Sequence, residues 1–271
     1  MLEINQLGFS YGRNKTVLKN LSLRLEKGTV CGLLGKNGVG KSTLIYLICG
    51  LLRPHQGTVT YNGFTPIERR TDFLDDVYLV PEEFVLPSIS FTNYIRANAT
   101  FYPKFSQTDL EKYLEMFDLN LDINLGALSM GQKKKAFMAF AMACNTSLLL
   151  LDEPTNGLDI SSKRSFRKAI AECMNDDKII LISTHQVYDI DKILDHVVIA
   201  DNDGILLNSS MEQLSSKYRF CFTTDRERAD KAIISIDVPG GYNIAEPLDK
   251  ADDETEVNLE TLFEMATNKL I

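Results

Sequence analysis

The sequence predicts an α/β fold with a mixed, mainly parallel sheet, and three observations predict it. From about residue 147, strand-length apolar runs alternate with helical patterns ("LLLLD", "SSKRSFRKAIAECM", "IILIS"). That rhythm belongs to strands joined by crossover helices. A glycine-rich loop, "GKNGVGKS", stands between the buried-strand pattern "TVCGLL" and the apolar helix pattern "STLIYLICGLL". A second buried-strand pattern, "LLLLDE", carries a carboxylate pair at its end.

The elements follow in order. Alternation at Leu2, Ile4, Leu7, Phe9 and Tyr11, and again in "LSLRL", predicts short N-terminal antiparallel strands joined by turns at "YGRNK" and "EKG". "GTVTYNG" (57–63) reads as a further strand. From about 83 to 145 the pattern turns helical and aromatic, as in "FTNYIRANATFY" and "SQTDLEKYLEMF". Ser106 and Asp109 have the spacing of a capping box ahead of Leu110, Tyr113, Leu114 and Phe117. This stretch is expected to be a helical insert. Phe166, Ile170, Cys173 and Met174 mark one face of the next helix. After "IILIS" a short helix is expected, then strands "HVVIAD" and "GILLN". The main domain therefore spans 1–210. Residues 211–271 form a small accessory region with strand-like pieces around "VPGGY", an acidic linker "DKADDETE", and a final helix striped by Leu259, Leu262, Phe263, Ala266 and Leu270.

Composition narrows the function. The 271 residues are 44% hydrophobic, enough for one large core with a small appendage. No leading segment has the pattern of a signal peptide, and no window approaches the ~18 apolar residues of a membrane span. The five cysteines lack metal-ligand spacing and sit mostly in apolar runs, which suits buried, reduced thiols. A net charge of −8, with one short basic cluster at 133–135 and a mild one at 68–70, argues against nucleic acid as a partner.

"GKNGVGKS" fits the phosphate-loop pattern. Gly35, Gly38 and Gly40 let the chain curl so that backbone N–H groups of Lys36, Asn37, Val39 and their neighbours point at phosphates. Lys41 reaches the β- and γ-phosphates, and the Ser42 hydroxyl, followed by Thr43, is placed for Mg2+. Asp152 can hold the same magnesium ion through water. Glu153, displaced from it, can polarise a water for attack on the γ-phosphate. His185, at the end of "IILISTH", can donate a hydrogen bond to that phosphate.

"ALSMGQKKK" opens a helix at Ser129, with Gly131 and Gln132 in its first turn, and such a start is suited to an anion. Taken in order, the phosphate loop, "LSMGQ", "LLLLDE", "GLD" and "STH" resemble the motifs of the ATP-binding-cassette ATPases over about residues 1–210. The resemblance implies a P-loop NTPase fold of that type and assigns roles. Tyr11 resembles the aromatic residue that stacks on adenine; its other reading is an ordinary strand aromatic. "LSMGQ" resembles the signature that holds the γ-phosphate of an ATP bound to a second subunit, through Ser129 and the Gly131 N–H. Asp159, in "GLD", resembles the D-loop aspartate, and His185 the switch histidine. Two positions depart from the pattern. Met130 replaces a glycine, and Glu82, in "YLVPE", stands where a glutamine approaches the magnesium. Glu82 has two readings, metal-adjacent and surface.

The resemblance implies an ATP-hydrolysing subunit that pairs head to tail with a second ATPase subunit, most simply its own copy. It would drive a separate transmembrane permease from the cytoplasmic face of the membrane. "YLVPE" and "NLETLFEMAT" are most similar to cassettes of simple two-component exporters. "EEFVLPSISF" (82–91) reads either as a docking surface for that permease or as subdomain packing. A soluble DNA- or ribosome-associated ATPase is the rival, but the stretch between phosphate loop and signature lacks sustained heptads and there is one cassette. A purely regulatory nucleotide-binding module is disfavoured by the presence of both Glu153 and His185.

Overall fold

The computed structural model describes residues 1–12, 15–202, 204–248 and 255–271. Two residues of the expected "YGRNK" turn and most of the expected acidic linker (249–254) lie outside the described residues. The N-terminal strands are β1 (Leu2–Tyr11), β2 (Lys15–Leu25), β3 (Thr29–Leu34) and β4 (Gln56–Tyr61). β1 pairs antiparallel with both β2 and β4, as the alternating sequence requires. Helix α1 (Lys41–Ile48) follows the glycine loop. It ends earlier than its apolar pattern, because Gly50 takes φ 73° and turns the chain.

Next come α2 (Thr71–Leu74), β5 (Val77–Val80), α3 (Phe91–Asn98), α4 (Gln107–Met116) and α5 (Met130–Ala143). The last three make the insert. Its aromatic residues anchor it to the sheet. The Phe140 ring is met by Tyr78 of β5 at 6.0 Å, Tyr94 at 5.3 Å and Phe105 at 5.6 Å. Burying a side chain of this size contributes about 1.5–3 kcal/mol. Only half of the expected capping box forms at α4. The Ser106 hydroxyl accepts from the Asp109 N–H, but the Asp109 carboxylate accepts from Asn145 Nδ2 at 2.7 Å.

The chain continues through β6 (Leu148–Asp152), α6 (Ile160–Cys173), β7 (Ile179–Thr184), β8 (His196–Asp201) and β9 (Gly204–Ser210). The short helix expected after β7 is instead two 3-10 turns, Val187–Asp189 and Asp191–Ile193. That segment is too short to nucleate an α-helix. The main sheet has the order β5-β6-β7-β3-β8-β9, parallel except for the β8–β9 pair. Along β7, Ile179 and Leu181 face one core while Ile180 and Ile182 face the other. The sheet is therefore covered on both sides, which explains its uninterrupted apolar strands.

The remainder comprises α7 (Met211–Ser215), β10 (Tyr218–Thr223), α8 (Arg226–Lys231), β11 (Ile234–Val238), β12 (Gly241–Pro247) and α9 (Leu259–Thr267). β12 pairs with both β10 and β11, and "VPGGY" is the hairpin turn. Leu259, Leu262 and Ala266 are buried as expected, joined by Met265. Leu270 lies beyond the helix and is exposed.

Candidate functional site

The sheet order β6-β7-β3 places three strand ends side by side. Asp152 of β6 is in register with Ser183 of β7, and Thr184 with Leu34 of β3. The carboxylate pair, His185 and the glycine loop thus meet at the carboxyl edge of the sheet, where such folds bind ligands. There, Tyr11, Asn37, Gly38, Gly40, Lys41, Ser42, Thr43, Glu82, Glu153 and His185 line a cavity of about 440 Å3, with Val17 and Asn156 beside them.

The loop is built by local conformation. Gly38 and Gly40 take φ 85° and 102°, a region that favours glycine. A side chain on Gly40 would also lie 2.7 Å from Val17 of β2. No side chain caps the start of α1, so its first N–H groups face the cavity. The Lys41 ammonium donates to the carbonyls of Gly35 (2.7 Å) and Lys36 (3.2 Å). Gly35 and Val39 are buried behind the loop, whereas the Lys36 side chain is exposed; none of the three lines the cavity. Burial lowers the Lys41 pKa, and Glu153 and Asp152 partly restore it.

Glu153 is 4% exposed and takes φ 46°, unusual for a non-glycine residue. Its N–H donates to Ser183 O at 3.0 Å. Its carboxylate accepts from Thr184 Oγ1 at 3.1 Å, lies 2.8 Å from His185 Nδ1 and stands 3.6 Å from Lys41 Nζ. Asp152 is 1% exposed. One of its oxygens accepts from the Ser183 hydroxyl, while Oδ2 is buried without a hydrogen-bond partner. Burial raises its pKa, and the nearby Ser183 and Ser42 hydroxyls oppose that rise. A buried, unpartnered carboxylate oxygen next to a serine hydroxyl is a donor set that fits a magnesium ion, whose other ligands are phosphates and water. Among the described residues no cluster of three His, Cys, Asp or Glu side chains has metal-binding geometry.

Glu82 is half-buried at the cavity wall, where its carboxylate accepts from Asn156 Nδ2 at 3.0 Å. The Tyr11 hydroxyl lies 3.3 Å from Thr43 Oγ1, and 46% of the residue is exposed at the rim.

The remaining expected residues lie outside this cavity. Ser129 caps α5, and with Gln132 it completes a capping box. The hydroxyl accepts from the Gln132 N–H at 3.3 Å and keeps its own proton to donate. Ser129 and Met130 are exposed. Gly131 faces Gly157, whose carbonyl would be 3.5 Å from an added Cβ. Asp159 caps α6 through the Ser162 N–H, and hydrogen bonds from Ser161 and Ser162 hold its pKa down at about 2.

The run 133–135 reads in the sequence as a basic cluster. In the structure Lys134 is 7% exposed and donates to the carbonyls of Glu153 (2.8 Å) and Asn156 (3.1 Å). Ser183, Thr184, Asn156 and Val17 also escaped assignment. A serine and a threonine directly before His185 are the available signal.

A phosphate loop, a buried strand-end aspartate and a glutamate held by a histidine define a nucleoside-triphosphate hydrolase. The profile of the ABC transporter family matches residues 18–156, and the chain belongs to that family: it is the ATP-binding subunit of an ABC transporter, an ATPase. The ABC transporter ATP-binding protein YtrB of Bacillus subtilis is 27% identical over 277 residues, spanning 100% of this chain and 94% of its own length. The zinc uptake system ATP-binding protein ZurA of Listeria innocua is 30% identical over 230 residues, 79% of this chain and 87% of its own. A solved structure of an ABC transporter ATP-binding subunit superposes with a TM-score of 0.71 at 26% identity, covering 79% of this chain and 91% of that one.

Proposed function

We propose that the chain is the motor of a transporter whose membrane-spanning part is a separate subunit. Two copies of the chain would close head to tail around two ATP molecules. One observation supports the dimer: groups suited to phosphate occur at two separate places on the chain. The cavity gathers Lys41, Ser42, Glu153 and His185, whereas Ser129 and Gly131 open an exposed helix start outside it. A helix N-terminus with a free hydroxyl proton suits the γ-phosphate of a second chain's nucleotide. Asp159 would stand at the same junction. The relatives' names support the separate membrane subunit, since each denotes the ATP-binding part of a transporter or uptake system. No helix of the described residues is long and apolar enough to cross a membrane. The ATPase would therefore sit on the cytoplasmic face through its permease, with residues 1–210 as the ATPase body and 211–271 as the accessory region.

In this reading Lys41 exchanges its carbonyl partners for the β- and γ-phosphates, and the α1 N–H groups complete the cradle. Tyr11 stacks on the adenine. Ser42 and Asp152 would hold Mg2+, with Glu82 nearby, and a bound ion would supply neutralisation of charge at the phosphates. Glu153 accepts a proton from the attacking water, and its oxygen stays oriented by His185 and Thr184.

Light scattering with Mg2+ and a non-hydrolysable ATP analogue tests the arrangement. The parent chain is expected to dimerise, and Ser129→Arg to bind nucleotide as a monomer. A parent chain that stays monomeric at saturating nucleotide contradicts the head-to-tail reading.

A further inference from the structure

Lys134 has no part in the chemistry described so far, yet its burial demands a partner. Lysine is almost never buried unpaired, because the ammonium must be desolvated and the long side chain loses rotamer freedom. Lys134 sits in α5, five residues after Ser129, and points its ammonium at the turn that follows β6. Three contacts make that turn. The Glu153 carbonyl accepts from the Asn156 N–H at 3.2 Å and from Lys134 Nζ at 2.8 Å. The Asn156 carbonyl accepts from the same ammonium at 3.1 Å. The Asn156 side chain then reaches Glu82 at 3.0 Å.

The turn needs such support. Glu153 takes φ 46°, a strained conformation for a non-glycine residue that persists only when surroundings enforce it. Extended backbone there would swing the carboxylate away from His185 and Thr184. Ser183 holds the turn from the amide side, and Lys134 holds it from the carbonyl side.

We propose that Lys134 is a positioning residue for Glu153. Its ammonium fixes the left-handed turn that aims the carboxylate. Because the same helix opens with Ser129–Gln132, it also ties the surface assigned to the second nucleotide to the base that acts on the first. This inference rests on the reading of Glu153 as the general base.

The test is steady-state ATP hydrolysis by the full chain carrying Lys134→Met. The expected result is a kcat lowered about tenfold or more, with the KM for ATP within about twofold of the parent, since Lys41, Ser42 and Asp152 are untouched. Lys134→Arg, which keeps the donors, is expected to retain most of the parent kcat. Added to Glu153→Gln, Lys134→Met is expected to change residual turnover less than about twofold, because the group it positions is already gone. A purely structural role would instead move KM as well, or multiply the two losses, and either outcome overturns the inference. So does a parental kcat in Lys134→Met. Should that variant not fold, Lys134→Gln takes its place. Its amide is too short to hold both carbonyls, and a parental kcat there overturns the inference equally. A slow Glu153→Gln beside a fast Lys134 variant removes this inference alone, whereas a fast Glu153→Gln removes the reading beneath it.

Discussion

His185 Nδ1 lies 2.8 Å from Glu153 Oε1, although the two residues follow different strands. The β6–β7 register makes the contact, by setting Asp152 beside Ser183 and so Glu153 near the residues after it. With Nδ1 occupied, the other ring nitrogen is the one assigned to the γ-phosphate. His185→Ala is therefore expected to lower kcat by about 10²-fold, the effect of removing one donor at a reacting centre, with ATP affinity retained. Rapid-quench and nucleotide-binding measurements separate the two. A loss confined to affinity would take His185 out of the chemistry.

Lys41 gives a pH-dependent expectation. Burial is the largest effect on its pKa and lowers it below the ordinary 10.5. Between the lowered value and 10.5 the unfolded chain binds more protons than the folded one, so this group's contribution to stability rises with pH. A triphosphate beside the amine reverses the shift. ATP binding is then expected to take up protons in alkaline solution and to weaken as pH rises. Calorimetric titration in two buffers of different ionisation enthalpy, repeated at a series of alkaline pH values up to 10.5, reads this directly. Equal heats in the two buffers contradict it. Lys41→Ala is expected to abolish measurable binding.

Glu82 tests the departure at the position expected to approach magnesium. Its carboxylate adds negative charge to a cavity wall that already holds Glu153. Glu82→Gln keeps an acceptor for Asn156 and removes that charge. The magnesium concentration giving half-maximal turnover is expected to shift. Superimposable titrations would place Glu82 outside the metal's surroundings.

Much of the site was legible because its parts are short. The phosphate loop, the strand-end pair Asp152-Glu153 and His185 are each set by local conformation, and each occurs where a buried apolar run ends. The sheet then brings them together. Lys134 was not legible, since three consecutive lysines read as solvated charge, and only the packing of α5 over the β6 turn reveals that the middle one is buried. Asn156 and Val17 reach the cavity through contacts with elements distant in sequence, which periodicity does not encode. The two 3-10 turns after His185 differ from the short helix that the sequence predicts for a related reason. Their shape is fixed partly from outside, by Lys163 and Arg167 of α6, whose side chains reach Asp189.

The central claim is that Glu153 drives hydrolysis in a site completed by a second chain. Turnover and molecular mass of Glu153→Gln, measured in the same sample with ATP and Mg2+, test it most directly. Glutamine keeps the shape and loses the basicity, so hydrolysis is expected to fall by about 10²–10⁴, or roughly 3–5.5 kcal/mol of barrier. Binding is expected to survive, because the loop, Lys41 and Asp152 are unchanged. The unhydrolysed nucleotide should then hold the chain as a dimer that disperses when Ser129→Arg is added. A Glu153→Gln protein that hydrolyses ATP at the parental rate, or that binds ATP and remains monomeric, would contradict the account.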